Sequence, residues 1–294
     1  MTDNRKAILL ALVSTALFAA TATLAKLASH DYHFFQILFF RQIVIFLSAV
    51  PTIAKDFPKY LKTKSPLLHG ARLAGAFIAL SLSILALSGL PLTTATTLGF
   101  ANIFFVALLG HYLLGETLGS YRLVAIATGF VGVAIAIRPD PSSLFNHYSL
   151  FAIIAAFGAA IAAITVRKLS QTEATATLLS YQAIFIGLLS GIPLFWLWKQ
   201  PDLLDWALLL GMGVLSTAAN WIGIKALRHG EAGLVKSVGY LSLVYAAIFG
   251  FLVFGEIPQQ NTLMGAILII ISAFAIIQQG KMQTLIRHLF VRQN

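Results

Sequence analysis

The chain has no cysteine and very little charge. In 294 residues, the missing cysteine excludes disulfides and thiolate metal sites and leaves the redox compartment undecided. Charged residues make up 10%, against roughly 25% in soluble domains. With 59% hydrophobic residues and a mean hydropathy of +0.87, a soluble core has no room for the apolar surface present, so the outer solvent is lipid. Acids are scarcer than bases, ten against twenty, and the net charge is +10. That excess does not point to nucleic acid, because the bases are dispersed between apolar runs. No Asp or Glu falls in mid-span, and His69 and His111 lie near span ends. No proton relay is evident, so facilitated diffusion or exchange is expected over proton coupling. A Gly-Lys-Ser/Thr phosphate loop is missing, as are H-E-x-x-H and G-x-S-x-G motifs. These absences argue against ATP hydrolysis and intramembrane catalysis. No catalytic residue, metal or cofactor is expected.

What is present is a series of long apolar runs. A spanning helix needs about 20 mostly apolar residues. Ten segments qualify: 7–27, 33–52, 67–88, 92–114, 121–138, 148–166, 176–197, 203–225, 232–254 and 261–279. The first run exceeds the roughly 7–15 residues of a signal h-region, so it reads as an uncleaved span. Gly89-Leu90-Pro91 is the tightest linker and makes a hairpin of spans three and four. Pro51, Pro141, Pro193 and Pro201 are expected at helix ends, where proline costs least. With the N-terminus in the cytoplasm, fifteen of the twenty Lys and Arg residues face inward. Lys26, Arg138 and Lys199 face outward, and Arg41 and Lys236 fall within spans.

The chain also reads twice. Residues 92–137 laid on 232–277 match Gly99 to Gly239, Gly110 to Gly250 and Gly115-Glu116 to Gly255-Glu256. Nearer the start of each half the offset is 142, pairing Lys26 with Lys168 and Pro51 with Pro193. Duplicated hydrophobic blocks mark secondary transporters built from repeats. Five spans per half is an odd number, so the second half enters from the opposite face. The expected fold is an all-α polytopic membrane protein of ten helices in two inverted five-helix repeats, residues 1–140 and 141–294.

Arg41 is the sharpest candidate for a site. A central arginine costs roughly 2.5–3.5 kcal/mol on insertion scales, so it faces a cavity or a partner. It either anchors a carboxylate or phosphate bidentately or caps backbone carbonyls. Lys236 is shallow enough to snorkel and shares a helix face with Tyr240. Their repeat mates are Thr96 and Phe100, and the two faces could form an asymmetric pocket. Asn102, Gln182 and Asn220 are mid-span amides that either hydrogen-bond between helices or line a cavity. Asn220 beside Trp221 suits a planar polar ligand, with Tyr181, Tyr240 and Tyr245 able to contribute. Glu116 and Glu256 hold turns, Arg122 being a candidate partner for Glu116, or else act in gating. Gly187-x-x-x-Gly191, Gly129-x-x-Gly132 and the alanines from Ala152 to Ala163 permit close helix approach.

The segments Phe100–Gly119, Gly129–Asp140 and Gly239–Ile270, with the Phe40-Arg41 step, resemble the EamA-type transporters of the drug/metabolite transporter superfamily. One departure is the missing proline in mid span four near Asn102. The resemblance implies ten helices with both termini inside, in an inner (plasma) membrane of bacterial type. It implies a central cavity lined by spans one to four and six to nine, peripheral fifth and tenth spans, and alternating access. The expected function is transport of a small polar metabolite, anionic or zwitterionic, such as an amino acid or a nucleotide-like compound. The expected partners are that solute and the lipid bilayer, with no nucleic acid; a homodimer stays open. The alternatives are an exporter of aromatic or amphipathic compounds with a structural Arg41, or an intramembrane enzyme or structural subunit.

Overall fold

The structure, a computed structural model, describes residues 4–55, 63, 65–114, 120–137, 147–169, 173, 175–229, 238–272 and 274–275. In chain order the elements are α1 (Asn4–Ala28), α2 (Phe34–Lys55), α3 (Pro66–Gly89), α4 (Leu92–Gly99), α5 (Ala101–Leu114), α6 (Ser120–Ile137) and α7 (His147–Leu169). After them come α8 (Thr175–Gly191), α9 (Leu194–Leu197), α10 (Leu203–His229), a 3₁₀ turn (Gly239–Leu241), α11 (Ser242–Phe254) and α12 (Gln260–Ser272). Among the described residues there is no strand. Five stretches are long and apolar enough to cross a membrane: Arg5–Ala28, Pro66–Gly89, Leu92–Leu113, His147–Leu169 and Leu203–Gly223.

These helices follow the apolar runs closely, with two interruptions. The run from Leu92 breaks at Phe100, between α4 and α5. The run from residue 176 breaks after Gly191, and Pro193 then caps the single turn of α9. Pro51 corrects the sequence expectation, because it lies inside α2 with four more helical residues after it. So near the helix end, its missing N–H and its clash one turn back disturb only the last turns. Pro193 and Pro201 do lie at element boundaries; Pro141 falls outside the described residues.

Small residues set the packing. The most extensive helix pairs are α3 with α7 and α1 with α10, followed by α2 with α8. At the α3–α7 crossing Gly75 faces Gly158 so closely that a Cβ on either would stand 2.8 Å from the other's carbonyl oxygen. At the α1–α10 crossing the Ser14 hydroxyl donates to the Ala219 carbonyl at 2.8 Å, and Gly223 makes room for Ser14. Gly187 and Gly191 of α8 pack on Gln42 and Phe39 of α2, so this pair of glycines is used within the chain. Gly132 of α6 meets Gly265 of α12. In lipid there is no hydrophobic drive between helices, so such close contacts supply the association. Large apolar side chains such as Leu47, Val131, Leu188 and Phe251 lie exposed on the outside.

One end of the bundle is clasped by polar contacts. Lys26 at the end of α1 forms an ion pair with Glu256 and donates to the Leu90 carbonyl at 2.6 Å. The second Glu256 oxygen accepts the Leu92 N–H at 2.7 Å. Gly255, at φ +67°, turns the chain so that Glu256 can reach back. At the same end the Tyr32 hydroxyl donates to Asp205. Desolvation and that bond push the Tyr32 phenol above its ordinary value. Gln36 exchanges two hydrogen bonds with the Lys199 backbone, at 2.7 and 3.1 Å. Glu116 and the Arg122 side chain lie outside the described residues.

The glycine contacts predict a graded response. Gly158→Ala forces two backbones apart and should cost about 1–3 kcal/mol. Gly187→Ala, whose new Cβ would meet Gln42 at an ordinary 3.6 Å, should be neutral. Thermal unfolding of the two purified variants in detergent, followed by size exclusion, checks the order.

Candidate functional site

The break in the span-four run has a local cause. Four of the eight residues of α4 are threonine, and β-branching weakens helix. Thr96 and Thr97 turn their hydroxyls back onto the Leu92 and Thr93 carbonyls, each at 2.8 Å, which loosens the ladder further. Gly99 follows, and at Phe100 the N–H bonds only three residues back, to Thr97 at 3.2 Å. The helix is thus interrupted without the proline that the resemblance makes usual there. The second half has its own irregularity at the matching position. Gly239, the mate of Gly99, opens the 3₁₀ turn, and Tyr240 is the mate of Phe100. The two rings touch, with centroids 5.5 Å apart at 41°.

Tyr240 Oη, Asn102 Oδ1 and Arg41 Nε are buried without a partner, as are polar atoms of Gln42, His69, Arg72, Ser81 and Ser216. Asn102 is two residues beyond Phe100. Arg41 lies one turn from Ile37 on α2, on the same face. Ile37 is fully buried in a cluster that also includes Leu92 and Ala246 of α11. Buried polar atoms without partners are rare and call for a physical reason. A polar solute seated among these helices would supply one.

Other expected residues lie elsewhere. Tyr181 and Gln182 belong to a second polar cluster, between α3 and α8. Arg72 donates to the Leu178 carbonyl at 2.9 Å and to Gln182 Oε1 at 3.0 Å. His69 contacts Glu173 at 2.6 Å, and the Tyr181 ring lies 4.5 Å from the His69 ring. Arg72 is 4% exposed, a buried cation that the sequence reading counted only as a cytoplasmic charge. Its spacing from His69, one helix turn, was the available signal. Asn220 donates to Ser216 of its own helix at 2.8 Å. Trp221 continues the exposed stripe of Leu210 and Val214, so it points away from Asn220 rather than pairing with it. Tyr245 stacks on Phe249. Lys236 lies outside the described residues.

Thr96 lines a partly open cavity of about 200 Å³ between α1, α3, α4 and α7, whose walls include Ala22, Ala86, Leu87, Ala95 and Ala156. A larger groove of about 620 Å³ runs between α2 and α8. Its walls include the exposed Phe46, Leu47, Leu188 and Phe195. It offers acyl chains a surface but lacks the convergent polar groups that a polar metabolite needs.

Two substitutions separate these clusters. Arg72→Met strands the Leu178 and Gln182 acceptors and should cost about 1–3 kcal/mol in thermal unfolding. Tyr240→Phe removes a hydroxyl that bonds nothing and should leave the unfolding midpoint unchanged.

Known proteins resemble this chain in sequence or in fold. An S-adenosylmethionine uptake transporter of Rickettsia bellii is 30% identical over 93% of this chain and 92% of its own. The pseudopaline exporter CntI of Pseudomonas aeruginosa is 26% identical over 94% of this chain and 98% of its own. A riboflavin transporter of Vibrio cholerae is 30% identical over 80% of this chain and 79% of its own. A solved crystal structure superimposes on 92% of this chain and 95% of its own at a TM-score of 0.64 and 15% identity, a likeness of fold alone. The sequence matches one transporter family twice, over residues 5–138 and 147–278. The chain therefore belongs to the EamA-like transporter family, and is an integral membrane protein that transports small molecules.

Proposed function

We propose that this protein is a ten-span carrier of two inverted five-helix repeats, residues 1–140 and 141–294, working by alternating access with both termini in the cytoplasm. Its solute is a small polar metabolite with an anionic or zwitterionic group, such as an amino acid or nucleotide-like compound. The packing supports two matched halves, and five spans in each half make them inverted. If α1 corresponds to α7, α2 to α8 and α3 to α10, the α3–α7 pair becomes α10–α1 and α2–α8 maps onto itself. Those are the three most extensive pairs.

The observation that carries the functional reading is the matched pair of helix irregularities at Phe100 and Tyr240, with unpaired polar atoms on Tyr240, Asn102 and Arg41. Discontinuous helices at the repeat interface commonly form transporter sites. In this reading Arg41 holds a carboxylate through two parallel N–H bonds. The rings of Phe100 and Tyr240 take the planar part of the solute, and Lys236 adds a second cation. S-adenosylmethionine, the solute named for the Rickettsia relatives, combines an amino-acid carboxylate with a purine, and its sulfonium suits a ring face. Export of an aromatic or amphipathic compound is the second reading, favoured by the exporter among the relatives.

Solute counterflow in proteoliposomes tests the proposal with labelled S-adenosylmethionine, riboflavin, amino acids and an organic cation. Exchange of a carboxylate-bearing solute without a pH gradient is expected. Arg41→Lys should weaken its affinity about tenfold, near 1.4 kcal/mol, and Arg41→Ala more. Native exchange by Arg41→Ala, or exchange of cations alone, would overturn the assigned role.

A further inference from the structure

The polar clasp at the end of α1 has a cavity beneath it. Ala22 is one turn below Lys26 on α1. Ala86 and Leu87 precede Leu90, and Ala95 and Thr96 follow Leu92. All five line the cavity of about 200 Å³, and each lies within about a turn of a clasp residue. Gly99, on the same wall, leads to the helix break at Phe100. The clasp residues therefore adjoin the walls of this cavity, which also include the glycine that precedes the helix break.

Its chemistry suits a reversible closure. The Lys26 and Glu256 side chains are 8% and 19% exposed, and the Lys26 ammonium also sits 4.9 Å from the Phe254 ring centroid. Both charges are held by backbone groups as well, the Leu90 carbonyl and the Leu92 N–H. The pair thus joins α1 and the α3–α4 turn, from the first part of the chain, to the end of α11, from the second. Apart from the Phe254 ring, every partner is a polar group that water can replace once the helices part. Permanent apolar packing has no such substitute.

We propose that Lys26 and Glu256, with the Leu90–Leu92 turn, form the latch of the outer gate, which closes the alanine-walled cavity and parts when the solute pathway opens outward. The inference rests on the transport reading and on the orientation argued from the basic residues. It predicts that breaking the ion pair admits water-borne reagents to the cavity while the rest of the bundle stays closed.

The absence of cysteine allows a direct test in the full-length protein. Ala95→Cys places a single thiol in the cavity, and a small membrane-impermeant methanethiosulfonate cation is added to the outer face of right-side-out vesicles. With the latch intact, modification should be slow. Adding Glu256→Gln or Lys26→Met should accelerate it at least about tenfold, whereas Lys26→Arg should leave it within about threefold. A thiol at the fully buried Ala160 of α7 should stay unreactive throughout, which separates opening of the latch from loosening of the fold. Equal rates with and without the pair, fast modification in the intact protein, or parallel acceleration at Ala160 would overturn the latch. The labelling needs no solute, so its failure alongside intact counterflow rejects the latch alone. Latch-dependent labelling without counterflow supports the gate and rejects the proposed solutes.

Discussion

The near contact of helix backbones is the constraint on which the rest of this structure depends. Lipid gives no hydrophobic reward for burying leucine against leucine between helices. Association therefore needs places where two backbones can touch, and the chain provides them at Gly75 with Gly158, Ser14 with Gly223, and Gly132 with Gly265. Because α3–α7 and α1–α10 are joined this tightly, polar side chains need not carry the fold. Arg41, Asn102 and Tyr240 can then keep unpaired atoms inside the bundle, a cost that a less tightly packed protein would meet by repacking.

Polar chemistry is divided by position. The clasp of Lys26, Glu256, Leu90 and Leu92 satisfies its donors and acceptors at one end of the bundle. The Arg72, His69 and Glu173 cluster ties α3 to α8 but leaves Arg72 Nε and His69 Nδ1 without partners. Between these lie the helix break at Phe100 and the turn at Tyr240, where satisfaction is incomplete. Bonds that bridge distant parts of the chain are the ones that a rocking carrier would have to break and remake. Unpaired groups are the ones that a solute can complete.

Much of the fold was legible because lipid imposes a simple code. Helix extents followed from apolar runs, and the offset of 140 placed Gly99 on Gly239 and Phe100 on Tyr240, residues that prove to touch across the structure. The break at Phe100 was not legible: no proline announces it, and Thr96 was read as a site residue rather than as a helix weakener. The charge pattern held two exceptions that the structure explains. Lys26 and Lys199, assigned to the outer side, each face a carboxylate, Glu256 and Asp31, so they serve contacts as well as topology. What was not legible were pairings across the chain. Lys26 and Glu256 stand 230 positions apart, and no periodicity connects them. Arg72 sits two turns into its helix, where a snorkelling arginine and a buried one look alike. Trp221 was joined to Asn220 by adjacency, although neighbours on a helix diverge by about 100°.

The most direct test of the central claim is a structure of the protein holding the solute that it exchanges. The account predicts that the carboxylate of that solute meets the Arg41 guanidinium, and that its planar part lies against Phe100 and Tyr240, with Asn102 or the Tyr240 hydroxyl now paired. A solute bound in the α2–α8 groove, with Arg41 turned onto backbone carbonyls, would contradict it.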